Sequence, residues 1–345
     1  MAEQLAPTIK QLKDVADFGR VTFSGINQVV FVSAGAGLAI GRSLKRYTDE
    51  VGEKLRYTVY ASAAFVSLAR AKPSTVNDAN TVVILSSKSG ATPETVAAAE
   101  SLKGKACKTV VFTKSEDAEL ASFGHKAFFT GNTTQAFHAT HMLMTAFLGG
   151  ILAARENWTL LPTLLSSLEA LPTDLFHAAS KGVLPGKEFA AGFAPHDPLY
   201  FVASGSAEIV PHAFGLCVLQ ERFGFDIHTV DGGDFFHSVV ETVRPGTQNH
   251  YILIIPADVS RPEMLDIKTF FERQSKKKEV SFQVIDTNEF DMSGIDPQLR
   301  GILGPMLAEA FLKPWAPALA KAAGKSMNDP LVHMGKFAYY SCHSA

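Results

Sequence analysis

Cysteine is scarce. Cys107, Cys217 and Cys342 are the only three in 345 residues, and neither a CxxC pair nor a His–Cys cluster accompanies them. An odd, dispersed set excludes a disulfide framework and a cysteine-rich metal site, and reads as reduced thiols without catalytic duty. An excess of one charge is also missing: 32 basic residues against 34 acidic ones leave a formal net charge of −2. No global field then draws the chain to nucleic acid or to a membrane surface, and any anion site has to be local. Uninterrupted apolar runs of the roughly 18 to 20 residues that a spanning helix needs are absent, and residues 1–30 mix charged and apolar positions at helical spacing instead of forming a signal-peptide core. The expectation is a cytoplasmic protein with neither nucleic acid nor membrane as partner. Core-forming residues, by contrast, are plentiful, since 46% of the chain is hydrophobic. That length and composition suit about two domains.

Short β-branched runs alternate with helical patterns: QVVFVSA (28–34), RYTVYA (56–61), NTVVILSS (80–87), CKTVVFT (107–113) and KAFFT (126–130). Such alternation predicts a parallel sheet flanked by helices. A second series follows at similar spacing, with LYFVASG (199–205), FDIHTV (225–230), NHYILIIPA (249–257) and EVSFQVID (279–286). The two series align at a lag of about 170 residues, with Ser33 opposite Ala203 and with Pro93 and Glu94 opposite Pro262 and Glu263. The chain is therefore two copies of one α/β unit. Residues 154–184 suggest helices broken by prolines, which places a boundary between domains 1–185 and 186–345. Beyond about residue 315 strand periodicity disappears, leaving a helix and an extended tail.

The segment SSKSGATPET (86–95) concentrates hydroxyls after a strand-like run. Thr92 suits a helix N-cap, Pro93 the first helical position and Glu94 the first turn, so a helix begins there with its free amides facing the loop. Those amides attract anions. Ser87, Ser89 and Thr92 add hydroxyl donors able to wrap a phosphate monoester, and Lys88 adds positive charge. In the second copy the matching loop PADVSR has lost most hydroxyls and gained Asp258, which repels a phosphate. An earlier run, SAGAGLAIG, puts Gly35, Gly37 and Gly41 in a GxGxxxG spacing, one residue off the dinucleotide fingerprint, and RYTVYASAAF lacks the expected acidic residue. A tight strand-to-helix turn built from small residues accounts for it. His138 and His141 stand three apart on a helical pattern, but no third ligand is spaced to complete a metal site. They read as packed or exposed helix residues, as do His212 and His228.

With the repeat in place, Ser87, Ser89, Gly90, Thr92, Glu94 and Thr95 resemble the S-x-S-G-x-T-x-[ED]-T phosphate loop of the sugar isomerase (SIS) family. The resemblance covers about residues 20–345 and implies two tandem SIS domains, each a parallel sheet flanked by helices, plus a C-terminal tail. Within it, LCVLQERFGFDIHTVDGGDFFHSVVE (216–241) is similar to the segment shared by glucosamine-6-phosphate synthase and the fructosamine-6-phosphate deglycases, in which a helix Glu precedes a loop His by sixteen residues. The GGDFFH form and the tail DPLVHMGKFAYY from Asp329 resemble the deglycases more closely. Gly37 stands where many members carry a serine, and HSVVE replaces the usual HGP.

The resemblance implies that Glu221 and His237 are catalytic and that Gly35, Ser87, Lys88, Ser89, Thr92, Glu94, Gly233, Asp234 and Lys336 bind substrate. The activity implied is cleavage of a 6-phosphorylated Amadori compound, a sugar-amine 6-phosphate, to a hexose 6-phosphate and a free amine or amino acid. Glu221 would move a proton between adjacent carbons and His237 would open the ring, with no metal and no cofactor. The substrate is expected to bridge the two domains, and a homodimer with sites near its interface is expected as well. Two alternatives remain: an amino-sugar-phosphate isomerase or deaminase using the same pair, and a non-catalytic phosphosugar sensor needing neither. Glu221 could also serve as an ion-pair partner of Arg222 or Arg244.

Overall fold

The computed structural model describes residues 1–244, 246–275 and 280–334. Contacts divide the chain into two compact units, one spanning Met1–Pro172 and the other beginning at Thr173. That division falls inside one helix, Leu161–Ala191. The sequence suggests several helices broken by prolines; Pro162, Pro172 and Pro185 instead lie within a single helix. Pro162 occupies the second position, where the missing amide has no partner to lose. Further along, Leu164, Leu168, Leu171, Leu175 and Ala178 form a buried stripe at helical spacing. Burial of that stripe outweighs the hydrogen bonds lost at the two interior prolines.

In the first unit, β1 (Gln28–Ser33), β2 (Arg56–Ala61), β3 (Thr81–Ser86), β4 (Lys108–Thr113) and β5 (Lys126–Phe129) form a parallel sheet in the order β2-β1-β3-β4-β5. All positions of β1 and β3 are buried, as suits central strands covered on both faces. Val30, Val83, Val111 and Phe65 belong to one buried cluster. A second group joins Phe18, Phe23, Phe112, Phe128 and Phe147, whose ring centroids lie 5.4–6.4 Å apart. Truncating the fully buried Phe147 to alanine is worth about 3–5 kcal/mol at such a site. Phe147 lies on the helix Ala136–Arg155, which has the length and composition of a membrane span. The sequence scan found no uninterrupted run because His138, Thr140, His141 and Thr145 punctuate it. It is a core helix, with 89% of its apolar window buried inside the protein.

The second unit repeats the pattern with β6 (Leu199–Ala203), β7 (Ile227–Asp231), β8 (His250–Ile255) and β9 (Ser281–Asp286), parallel throughout and ordered β7-β6-β8-β9. This is the order β2-β1-β3-β4 over again. A counterpart of β5 is missing among the described residues; after β9 come the helices Arg300–Leu312 and Trp315–Ala322. Val202, Leu253, Phe235 and Phe271 share the buried cluster of this unit. In both units the chemistry-bearing loops leave the carboxyl ends of strands, where parallel sheets present their ligand sites.

Candidate functional site

The loop after β3 is tied together by its own hydroxyls. Ser87 Oγ lies 2.8 Å from Thr92 Oγ1 and 3.4 Å from Ser89 Oγ. The amides of Gly90 and Ala91 donate to Ser87 Oγ (3.1 Å) and Ser89 Oγ (3.2 Å). Gly90 has φ of 69°, and a Cβ there would sit 2.5 Å from Ala118 Cβ and 2.7 Å from Thr113 Oγ1. Only glycine fits that turn. The helix Pro93–Glu100 starts at Thr92, yet no side chain caps it, since the Thr92 hydroxyl is turned to Ser87. Its positive end therefore stays open toward the loop.

Ser87 is buried, Thr92 half-buried, and Lys88 and Ser89 exposed. Thr95 points inward, 2.9 Å from Ser62 Oγ, and so supports the loop from beneath. Glu94 is half-buried, with Oε2 closed off from solvent and without a hydrogen-bond donor. Gly35, with φ of 53°, opens the helix Gly35–Val51 after β1. A side chain at Gly37 would collide with Ser33 Oγ and Ser86 Oγ, so the missing serine hydroxyl is replaced by close packing between the first glycine loop and the ends of β1 and β3.

In the second unit Glu221 follows a ten-residue π-helix, Pro211–Gln220. Such winding is rare and concentrates at functional sites. The turn closes at Gly224, left-handed at φ of 65°. Glu221 is exposed by area, yet enough protein surrounds the carboxyl that desolvation raises its pKa above the ordinary value, with the Arg222 charge acting the other way. One turn earlier, burial followed by the Glu221 charge pushes the Cys217 thiol up to about 11. Arg222 Nη1 donates to the Met327 carbonyl at 2.9 Å, and Arg244 bonds to the backbone and carboxylate of Glu241. Neither arginine forms an ion pair with Glu221. Lys325 Nζ donates to the carbonyl of Phe223 and stands 5.8 Å from the centre of the Phe225 ring. The segment 325–327 thus clasps both residues that follow Glu221.

After β7, the Asp231 carboxylate accepts the Gly233 amide at 2.9 Å and starts the short turn Gly232–Phe235 that contains Asp234. Phe235 is fully buried against Phe270 and Phe271 and anchors the turn. Phe236 remains 49% exposed. The His237 amide donates to the Asp234 carbonyl at 3.1 Å, and its ring is exposed rather than packed between the phenylalanines. No hydrogen bond or ion pair joins Glu221 to His237 within the chain. Lys336 lies outside the described residues.

His138 and His141 are both fully buried, and burial followed by the His138 charge lowers His141 to about 3. No group of three metal-ligating side chains occurs among the described residues.

The loop after β8 shows what became of the duplicated cradle. Asp258 stands three residues past the end of β8, as Ser89 stands three past the end of β3. Each side chain accepts the amide two residues on, Ser260 N at 3.0 Å and Ala91 N at 3.2 Å. Asp258 continues where serine stops: Oδ2 also accepts Ser206 N at 2.9 Å and lies 2.7 Å from Ser206 Oγ, while Oδ1 accepts from Ser260 Oγ at 2.6 Å. Sequence reasoning identified Asp258 as repelling phosphate but missed these contacts, because its partner Ser206 is 52 residues away. The π-helix and the clasp at Lys325 were missed as well, having no compositional signature.

The family profile of the SIS domain matches residues 22–149. An agropine synthesis conjugase of Rhizobium rhizogenes is 69% identical over all 345 residues of this chain and 96% of its own. The chain belongs to the SIS domain family. A more distant relative, fructosamine deglycase FrlB of Bacillus subtilis strain 168, is 26% identical over 89% of this chain and 90% of its own. Among solved structures, a candidate phosphosugar isomerase of Bacillus subtilis superposes with a TM-score of 0.83 at 24% identity, covering 98% of this chain and 100% of that one. The C-terminal domain of glucosamine-fructose-6-phosphate aminotransferase from Francisella tularensis gives 0.71 at 12% identity, over 95% and 98% of the two chains. These likenesses show the fold: two parallel sheets flanked by helices, the first of them inside the matched SIS domain.

Proposed function

We propose that this chain, a phosphosugar-processing enzyme of the SIS family, breaks the bond between a 6-phosphorylated sugar and an amine in an Amadori compound, releasing a hexose 6-phosphate and an amine or amino acid. The observation that carries the proposal is the hydroxyl cradle of Ser87, Ser89 and Thr92 at an uncapped helix start, a site suited to a phosphate monoester. Lys88, Gly35 and Glu94 are assigned to the same phosphate end, and Gly233, Asp234 and Lys336 to the sugar and amine.

His237 moves a proton between the anomeric and ring oxygens to open the sugar. Glu221, whose raised pKa brings it nearer to neutrality, takes a proton from carbon 1 and returns it to carbon 2, converting the amino ketose into an imine of the aldose. Water adds to that imine, and the amine leaves with the proton balance restored. No metal or redox partner enters these steps. The phosphate supplies binding energy remote from the reacting carbons and orients them.

The same steps run backward condense the amine with the sugar phosphate. The 69% identical relative named as a conjugase supports this synthetic direction as a second reading. Incubation with a panel of 6-phosphofructosyl amines, followed by assay of glucose 6-phosphate, tests cleavage; incubation of glucose 6-phosphate with amines tests synthesis. Turnover in neither direction overturns the proposal.

We also propose a homodimer with His237 beside a neighbour's site, supported by the exposed Phe236 next to it. Mixing inactive Glu221→Gln and His237→Asn subunits should restore activity if sites are shared, and no recovery after confirmed exchange places each site within one chain.

A further inference from the structure

We propose that the second SIS unit retains a phosphate cradle permanently filled by its own anion, the carboxylate of Asp258. Four donor groups converge on that carboxylate: the amides of Ser206 and Ser260 and the hydroxyls of the same two residues, at 2.6–3.0 Å. Two amides and two hydroxyls, drawn from the loops after two neighbouring strands, are the donors that receive a phosphate monoester. Ser206 is fully buried, and its amide donates to the Asp258 carboxylate instead of to water. Its hydroxyl also lies 2.6 Å from the Gly301 carbonyl, and its single proton is divided between two acceptors.

The first unit has the same frame without the carboxylate. Gly205 and Gly35 share the left-handed conformation, with φ of 59° and 53°, at the same place after β6 and β1. A Cβ at Gly205 would lie 2.5 Å from both Asp258 Oδ2 and Ser260 Oγ, so the glycine is what lets the carboxylate reach the loop. Ser206 corresponds to Ala36, and Asp258 to Ser89. In the first unit a neutral serine stands at this place, whereas in the second a carboxylate that reaches one atom further gathers the donors of both loops. Each chain therefore holds one phosphosugar, its phosphate read by the first unit, and the negative charge of Asp258 bars a second. This assignment rests on the reading of the Ser87–Thr92 loop as a phosphate site.

The test replaces Asp258 with the residue that the first cradle uses. Inorganic phosphate is titrated calorimetrically into the full chain, its Asp258→Ser variant, the Ser89→Ala/Thr92→Ala variant, and the variant carrying all three changes. One, two, zero and one sites per chain are expected. A folded Asp258→Ser chain that gains no site overturns the inference. A parent chain with no site, alongside an Asp258→Ser chain with one, refutes the reading of the first loop and leaves this inference standing. If Asp258→Ser is unfolded, phosphate should restore the fold as it refills the cradle, and a chain still unfolded at saturating phosphate overturns the inference. Asp258→Asn, which keeps the acceptor oxygen and the shape, should fold and bind no second phosphate.

Discussion

Thr92 Oγ1 stands 2.8 Å from Ser87 Oγ and caps no amide of the helix that it begins. A hydroxyl that forgoes its local partner remains available to something arriving from outside.

Changing Ser89 and Thr92 together to alanine should therefore impair binding without unfolding the chain. Each hydrogen bond to a charged group is worth about 1.5–3 kcal/mol, so KM for a phosphosugar should rise at least about 100-fold in the double variant. Steady-state kinetics and a melting curve check it, and a large loss of Tm with KM unchanged would mean a structural loop.

For Glu221→Gln we expect kcat to fall by about 100- to 10,000-fold with substrate still bound. Stability should respond in the opposite sense. The folded state raises the pKa of this carboxyl above its unfolded value near 4.5, so folded chains bind more protons just above that pH, and stability is lost as pH rises through the folded value. Parent and variant should thus melt alike at about pH 4, and the Gln variant should be the more stable at neutral pH. A parent that is the more stable at pH 7 would point to a structural carboxylate.

Cys217 offers a probe of the same spot. Burial and the Glu221 charge hold its thiol near 11, so alkylation at pH 8 should be slow and should accelerate several-fold in Glu221→Gln. Mass spectrometry of the Cys217 peptide separates it from the other thiols. An unchanged rate would show that the two groups do not feel one another.

Lys325→Met removes the donor to the Phe223 carbonyl. About 1 kcal/mol of stability should be lost, and kcat should drop while KM for the phosphate end holds, because Glu221 is less well placed. Lys325→Arg should restore kcat. Equal losses in both parameters would argue against a positioning role.

At Gly90 an added methyl meets Ala118 and Thr113 in a left-handed turn. Gly90→Ala should cost about 2–4 kcal/mol, combining the backbone penalty with overpacking, measured as a lowered denaturation midpoint. A near-neutral result would show that the loop can relax.

The strands were readable because β-branched and aromatic residues cluster in runs of four to six between turn residues, and both sheets follow from nine such runs. Residues 154–184 read as broken helices by the same local logic, since Pro162 and Pro172 signal breaks while the buried leucine stripe that overrides them becomes decisive only in tertiary contact. The Ser87–Thr92 loop was legible because its donors are neighbours in sequence. The bonds from Ser206 to Asp258 and from Lys325 to Phe223 join residues 52 and 102 positions apart, and no single-sequence pattern encodes them. Arg222, the neighbour of Glu221 in sequence, turns its guanidinium to the Met327 carbonyl instead of to the Glu221 carboxylate.

The filled cradle also governs how backbone amides meet solvent deuterium. Ser206 and Ser260 N–H are bonded to Asp258, so their exchange should follow the opening of the whole second unit. Ala36, at the same place in the first unit, has no such carboxylate, and its protection should wait on an incoming anion. Duplication has thus given the amides of one loop an acceptor of their own and left those of the other to wait on what binds.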